Sequence, residues 1–197
     1  MKSNNKVAAI IIAAGGSDRL GFPKQLLKWH GKTLIEFIIS IAIRTHLSPI
    51  LVVLGAYFNQ IDKIISKYPI LIIRNKEWEE GKASSIRKGI EALPNKTQAV
   101  ILFVVDQPLL NDSLINALVR LSRHESSEII APRVEGIQCN PVLFKRSTFK
   151  HLLGLKGNDG GKTIFPYFQV KWVDWKDKKV LFDIDSKKDL TTLMKRD

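Results

Sequence analysis

Residues 7–12 (Val7, Ala8, Ala9, Ile10, Ile11, Ile12) are apolar without a break and rich in branched side chains, the pattern of a parallel strand covered on both faces. Similar runs return at residues 48–55 and 99–105, with a shorter one at 69–74. Between the first two, residues 33–43 carry apolar side chains at helical spacing, opened by Thr33 and Glu36 in capping-box register. Residues 61–68 predict a second helix. Gly81 marks a turn, after which Ser84 or Ser85 caps a third helix whose Gly89 sits where packing leaves no room for a side chain. Residues 111–123 form a further helix with Asn111 or Asp112 as its cap, 128–132 a short strand, and 133–138 a loop before the apolar stretch 139–144. Residues 170–175 alternate like an edge strand, and Ser186 with Asp189 opens a terminal helix. Strand and helix alternate, so the expected architecture is a three-layer α/β/α fold on a right-handed, mostly parallel sheet, with residues 7–12 as its first and most central strand.

Composition adds bounds. No linker, repeat or low-complexity tract divides the 197 residues, and 45% hydrophobic content supplies a full core, so a single domain over residues 1–197 is expected. No apolar run approaches the roughly 20 residues that span a bilayer, and residues 1–6 are polar rather than signal-like, which points to a cytoplasmic protein without a membrane partner. One cysteine, Cys139, excludes an internal disulfide and a thiolate zinc site. A net charge of +12 raises nucleic acid as a ligand, but the basic residues are scattered among acids and neither aromatic–basic interleaving nor a helix-turn-helix pattern accompanies them. A small polyanion suits that field better than nucleic acid does.

The stretch after the first strand carries the chemistry. Ala13 and Ala14 bear almost no side chain, and Gly15, Gly16 and Gly21 let backbone amides turn toward one anion. Arg19 offers a planar fork of donors and Lys24 a compact mobile charge. Neither the dinucleotide pattern G-x-G-x-x-G nor the P-loop ending Gly-Lys-Ser/Thr is present. What the residues match is A-A-G-x-S-x-R-x-G-x-x-K, from Ala13 through Ser17 to Lys24. The strand over 99–105 ends in Asp106, followed by Gln107, Pro108 and Leu109. That places a carboxylate at the sheet edge where ligands bind, suited to Mg²⁺, which takes one or two carboxylates plus phosphate oxygens.

These two blocks, with Asn75, Trp78, Gly81, Ser85, Gly89 and Ile90, the Asn140-Pro141-Val142 segment, and Asp183-Ile184-Asp185 before Ser186, resemble the MobA-like NTP transferase family, and within it the molybdenum-cofactor cytidylyltransferases. The resemblance implies a Rossmann-like, GT-A-like nucleotidyltransferase fold. It implies a nucleotide-binding half near residues 1–110 and an acceptor-binding half near 111–197. Ala13, Ala14, Gly15, Gly16, Ser17, Arg19, Gly21, Lys24, Gly81 and Ser85 would bind the nucleotide; Arg19, Lys24 and Asp106 would act on the reacting phosphates; Asp106, Asp183 and Asp185 would hold Mg²⁺; Asn140, Asn158 and Lys162 would meet the acceptor. Trp78 is assigned to packing. The A-A-G loop goes with CTP among such enzymes, with another NTP as the alternative. The implied acceptor is molybdopterin, passed on to a molybdoenzyme or its chaperone. A sugar phosphate or another small phosphorylated metabolite is the alternative acceptor, and a weakly catalytic nucleotide-binding module the alternative role. The chain departs from the family pattern at Cys139, where a glycine is usual, and at Asn158 and Lys162, where an acid and an arginine are usual.

Overall fold

The computed structural model describes residues 7–195, so residues 1–6, read above as a polar lead-in, lie outside it. The strands are β1 (Ala8–Ala13), β2 (Lys28–Trp29), β3 (Lys32–Thr33), β4 (Ile50–Leu54), β5 (Leu71–Arg74), β6 (Ala99–Val104), β7 (Ile129–Val134), β8 (Ile137–Gln138), β9 (Val142–Lys145) and β10 (Val170–Asp174). The helices are α1 (Leu34–Arg44), α2 (Phe58–Ile65), α3 (Lys82–Glu91), α4 (Asp112–Ser122), α5 (Phe149–Leu153) and α6 (Lys187–Met194). β2 and β3 pair with each other, and the rest form an eight-stranded sheet in the order β10-β7-β9-β6-β1-β4-β5, with β8 on β7.

The missing polar alternation in β1 has a direct cause. Ala9 and Ile11 belong to the core that β1 shares with α1 and α4 on one face of the sheet, and Ala8 and Ile10 to the core it shares with α3 and α5 on the other. Both faces are covered, so apolar side chains are favoured at successive positions. Gly89 of α3 lies against that second face: a Cβ there would stand 2.7 Å from Ile10 Cγ2 and 3.3 Å from Val53 Cγ2, so glycine sets how closely the helix approaches the sheet.

Three sequence expectations shift. β1 is interior, but β6 is the middle strand of the path, because β9, β7 and β10 all add on the β6 side. β9 runs antiparallel to both β6 and β7, and the loop expected at 133–138 is a hairpin in which β8 returns along β7. Residues 135–141 are too few for the dozen-residue crossover that a parallel return requires. α2 starts and stops earlier than predicted, and Tyr68, freed from helical geometry, donates its hydroxyl to Glu36 Oε1 at 3.1 Å. No helix among the described residues is long and apolar enough to cross a membrane.

Glu36 shows how a sequence signal becomes stability. Its Oε2 accepts from the Thr33 backbone N–H at 3.0 Å and from the Thr33 hydroxyl at 2.8 Å, while Lys67 lies 2.8 Å from Oε1. Burial alone would raise its pKa, but Lys67, Thr33 and Tyr68 outweigh burial and bring it from 4.5 to about 2. A depressed carboxylate stabilises the fold above its unfolded pKa and loses that contribution as pH falls through the folded value. Glu36→Gln is therefore expected to cost about 1–2 kcal/mol at neutral pH. In urea titrations from pH 7 down to 2, the gap from the parent chain should start to narrow below about pH 4.5 and close as pH approaches about 2; a gap independent of pH would contradict this.

Candidate active site

β1 and β6 run parallel side by side, so the loop after Ala13 and the turn after Val104 emerge at the same edge of the sheet. The first loop is tightly braced. Ser17 takes a left-handed conformation (φ 58), its carbonyl accepts from Leu20 N at 2.9 Å, and its hydroxyl accepts from Lys24 N at 3.1 Å. Gln25, only 2% exposed, donates Nε2 to the carbonyls of Ala13 (2.9 Å) and Gly15 (2.8 Å). No sequence motif above includes Gln25; the only local signal for it is a polar residue directly before the apolar pair Leu26-Leu27.

A cavity of about 480 Å³ opens on this loop. Ala13, Gly15, Ser17, Arg19 and Lys24 line it from one side, and Gly81, Ser85, Asp106 and Asp185 line it from the others. Ala14, Gly16 and Gly21 do not. Ala14 is buried and accepts from Ala56 N through its carbonyl, Gly16 packs near the Trp78 ring, and Gly21 turns the chain with φ 76. Trp78, packed against Gly16 and Gly55 as expected of a packing residue, also lines the cavity, as do Glu79 and Lys82.

Lys24 Nζ is the focus. It lies 2.9 Å from Asp106 Oδ2, 3.0 Å from the Ile184 carbonyl oxygen and 3.1 Å from Asp185 Oδ1, with the side chain 18% exposed. Burial alone would lower the lysine's pKa, but Asp106 and Asp185 outweigh it and raise it, so the ammonium stays charged. Arg19 reaches out at the rim, 79% exposed, with its guanidinium 3.9 Å from Asp185.

The other oxygen of Asp106, Oδ1, is buried without a partner. Asp183 is pushed up to about 6, first by burial and then by the Asp106 charge, against a hydrogen bond with Gln107 that works the other way. An orphaned carboxylate oxygen beside a second acid held back from ionising fits a place for added positive charge. Among the described residues no three His, Cys, Asp or Glu side chains form a metal cage. A divalent ion here would therefore complete its shell from main-chain, phosphate or water oxygens, as Mg²⁺ does.

Asp183 and Asp185, predicted as neighbours on one metal, line different cavities. Asp183 belongs to a second one of about 520 Å³, together with Cys139, Asn140, Asn158 and Lys162. Ile12, Lys82, Val104 and Asn158 line both cavities, so the two chambers share a wall. The Cys139 thiol is driven up to about 11 by burial and by the Asp183 charge, and so stays protonated, which leaves it a poor nucleophile.

The start of α3 differs from expectation. Gly81, at φ 107, is the cap residue, and neither Ser84 nor Ser85 caps the helix. Instead Asn75 Nδ2 donates to both hydroxyls, at 2.9 and 3.0 Å, and the Ser84 hydroxyl donates in turn to the Gly81 carbonyl at 2.8 Å. Ala83 N donates to the Gly157 carbonyl at 3.0 Å, which fastens the loop bearing Asn158 to the cavity wall. Elsewhere the caps follow the sequence: Asn111, rather than Asp112, accepts from Leu114 N, and Ser186 with Asp189 forms a capping box.

Comparison with known proteins places this geometry. Nicotine blue oxidoreductase of Paenarthrobacter nicotinovorans is 26% identical over 95% of this chain and 96% of its own. Molybdenum cofactor cytidylyltransferase of Escherichia coli strain K12 is 24% identical over 96% of both chains. The solved manganese complex of Rv0371C from Mycobacterium tuberculosis H37Rv superposes with a TM-score of 0.81 at 18% identity, over 96% of this chain and 98% of that one, which shows a shared fold. With residues 9–171 matching the profile of the MobA-like NTP transferase domain, the chain belongs to that family.

Proposed function

We propose that the chain transfers a nucleoside monophosphate, CMP from CTP, to a phosphate of a small acceptor, molybdopterin, with release of pyrophosphate. The observation that carries this reading is that Lys24 and Asp106, 82 positions apart, meet at 2.9 Å in one cavity beside the glycine loop. A basic loop and an acid at a shared sheet edge suit a polyphosphate with its counter-charge. The cytidylyltransferase relative supports CTP and the molybdopterin acceptor.

In this reading the triphosphate lies along the first cavity, with its base and ribose against Gly81 and Ser85. Arg19, Lys24 and the loop amides hold the phosphates. The acceptor occupies the second cavity against Asn140, Asn158 and Lys162, and one of its phosphate oxygens attacks the α-phosphorus in line as pyrophosphate departs on the opposite side. Lys24 and Arg19 neutralise charge that builds on the departing group, and fixed positioning replaces covalent catalysis. Mg²⁺ on Asp106 and Asp185, with Asp183 across the shared wall, supplies further neutralisation of phosphate charge when bound. No side-chain nucleophile is needed, and Cys139 is kept protonated.

The test is pyrophosphate release from CTP, GTP, ATP and UTP in turn, each with Mg²⁺ and molybdopterin. CTP should turn over fastest and yield the cytidine dinucleotide of the pterin. Turnover only with a sugar phosphate would change the acceptor and keep the chemistry, whereas no turnover with any nucleotide and either acceptor would overturn the reading.

A further inference from the structure

Among the described residues, every arginine side chain but two has a partner. Arg19, Arg44, Arg87 and Arg133 each meet a carboxylate, Arg146 donates to the Thr97 carbonyl at 3.0 Å, and Arg74 lies over the Phe58 ring. The guanidinium groups of Arg120 and Arg123 have no hydrogen bond, ion pair or ring contact among the described residues. Both stand at the end of α4, three positions apart and so on one side of it, and both line a cavity of about 420 Å³. The His46 ring and the Asn116 amide, likewise without partners among the described residues, line it too, and no Asp or Glu does. Acids on the neighbouring elements are engaged elsewhere: Asp112 with Arg44 at 2.7 Å, Glu36 with Lys67 at 2.8 Å and Glu125 with Lys171 at 3.0 Å. A single basic residue in the last turn of α4 would answer the helix dipole, which leaves the second guanidinium and the other two donors without a reason in the fold. Val7 and Leu47, both buried, and Val119 give the same cavity an apolar wall. Val7 precedes β1 and Leu47 precedes β4, so the cavity opens where the strands begin. The glycine loop lies at the other edge of the sheet, farther by the length of the six-residue β1, about 20 Å.

We propose that this cavity is a second anion site, remote from the candidate active site, which takes an organic phosphate monoester: the phosphate on Arg120 and Arg123, the organic part against Val7, Leu47 and Val119. A phosphate dianion presents three oxygens, and two planar guanidinium forks can each grip a pair of them, with His46 and Asn116 as further donors at the rim. Inorganic phosphate would satisfy the cations and leave the apolar wall wet, so an ester with an apolar body fits the whole cavity better. The inference does not depend on the proposed nucleotidyl transfer. Because the two edges of the sheet are so far apart, a guest here touches none of the residues assigned to the nucleotide or the acceptor.

Amide ¹H–¹⁵N spectra of the labelled full chain, titrated at constant ionic strength with phenyl phosphate and separately with inorganic phosphate, test this and resolve the two edges of the sheet. Phenyl phosphate should shift the amides of Leu47, Asn116, Val119 and Arg123 saturably, along a curve separate from any shift in the glycine loop. Its affinity there should exceed that of inorganic phosphate by about threefold or more. Arg120→Gln/Arg123→Gln should weaken binding at these amides about tenfold or more and change glycine-loop shifts less than twofold. Arg120→Lys/Arg123→Lys keeps the charge and loses the forks, and should fall between the two. Lys150→Gln/Lys156→Gln removes two positive charges from exposed positions elsewhere and should alter the affinity less than twofold. Both arginines are exposed and unpartnered, so their variants should melt within 2 °C of the parent. Three results would overturn the inference: no saturable shift at these amides, binding that survives loss of both arginines or falls equally in the lysine control, or phenyl phosphate held no more tightly than inorganic phosphate.

Discussion

Asp106→Ala is expected to reduce pyrophosphate release from CTP by about 10²–10³-fold or more, the size of effect seen when one preorganised charge partner of a reacting phosphate is lost. The loss should fall on kcat rather than on the KM for CTP, because in the proposed reading Arg19 and the loop amides would still hold the triphosphate. Stability should change little by comparison. Lys24 keeps the Ile184 carbonyl and Asp185, and the substitution also removes the orphaned Oδ1. Losing one partner of a pair whose side chains are 18% and 24% exposed is expected to cost about 1–2 kcal/mol. Steady-state assays paired with a thermal melt separate the two effects. Activity within tenfold of the parent would remove Asp106 from the reacting centre.

The second large effect is expected at Gly81. Its φ of 107 with ψ of −179 is a conformation that L side chains rarely adopt. A Cβ there would stand 2.4 Å from the Gly157 carbonyl oxygen and 2.7 Å from Asn158 Oδ1, and a main-chain oxygen cannot rotate out of the way as a side chain can. Gly81→Ala therefore combines about 1–3 kcal/mol of backbone strain with a forced shift of the Gly157 loop. For a domain of this size, a melting-temperature loss of about 5–10 °C follows. The kinetic consequence is specific: the shift strains the bond from Ala83 N to the Gly157 carbonyl and moves Asn158, which lines both cavities. Differential scanning calorimetry and saturation curves for both substrates check it. KM for the acceptor should rise more than KM for CTP, whereas a melting temperature within 2 °C of the parent would show that the contact yields easily.

The parts of this architecture that local chemistry dictates are the parts the sequence revealed. Thr33 with Glu36 and Ser186 with Asp189 are caps that need only neighbouring residues, and both form as read. The apolar run at residues 7–12 predicts a strand buried on two faces because nothing else tolerates that composition. β9 was illegible in direction, since the antiparallel return follows from the length of a connection and the pairing of strands distant in sequence. At the site, the glycine loop and Asp106 could be found from motifs, but the division of labour between Asp183 and Asp185 could not. Two positions apart on an extended segment, they would be expected on one face, and that they line different chambers goes with partners far away in the chain, Gln107 for Asp183 and Lys24 for Asp185. Gln25 stayed hidden for the same reason, because its partners are backbone carbonyls rather than a recognisable side-chain pattern.

That glutamine has a consequence for affinity. By tying down the carbonyls of Ala13 and Gly15, it restrains the loop in advance, so a polyphosphate bound there as proposed would forfeit little chain entropy on docking. Selection at this cradle then rests on the shape of the guest, because a rigid receptor cannot remould itself around a poor fit.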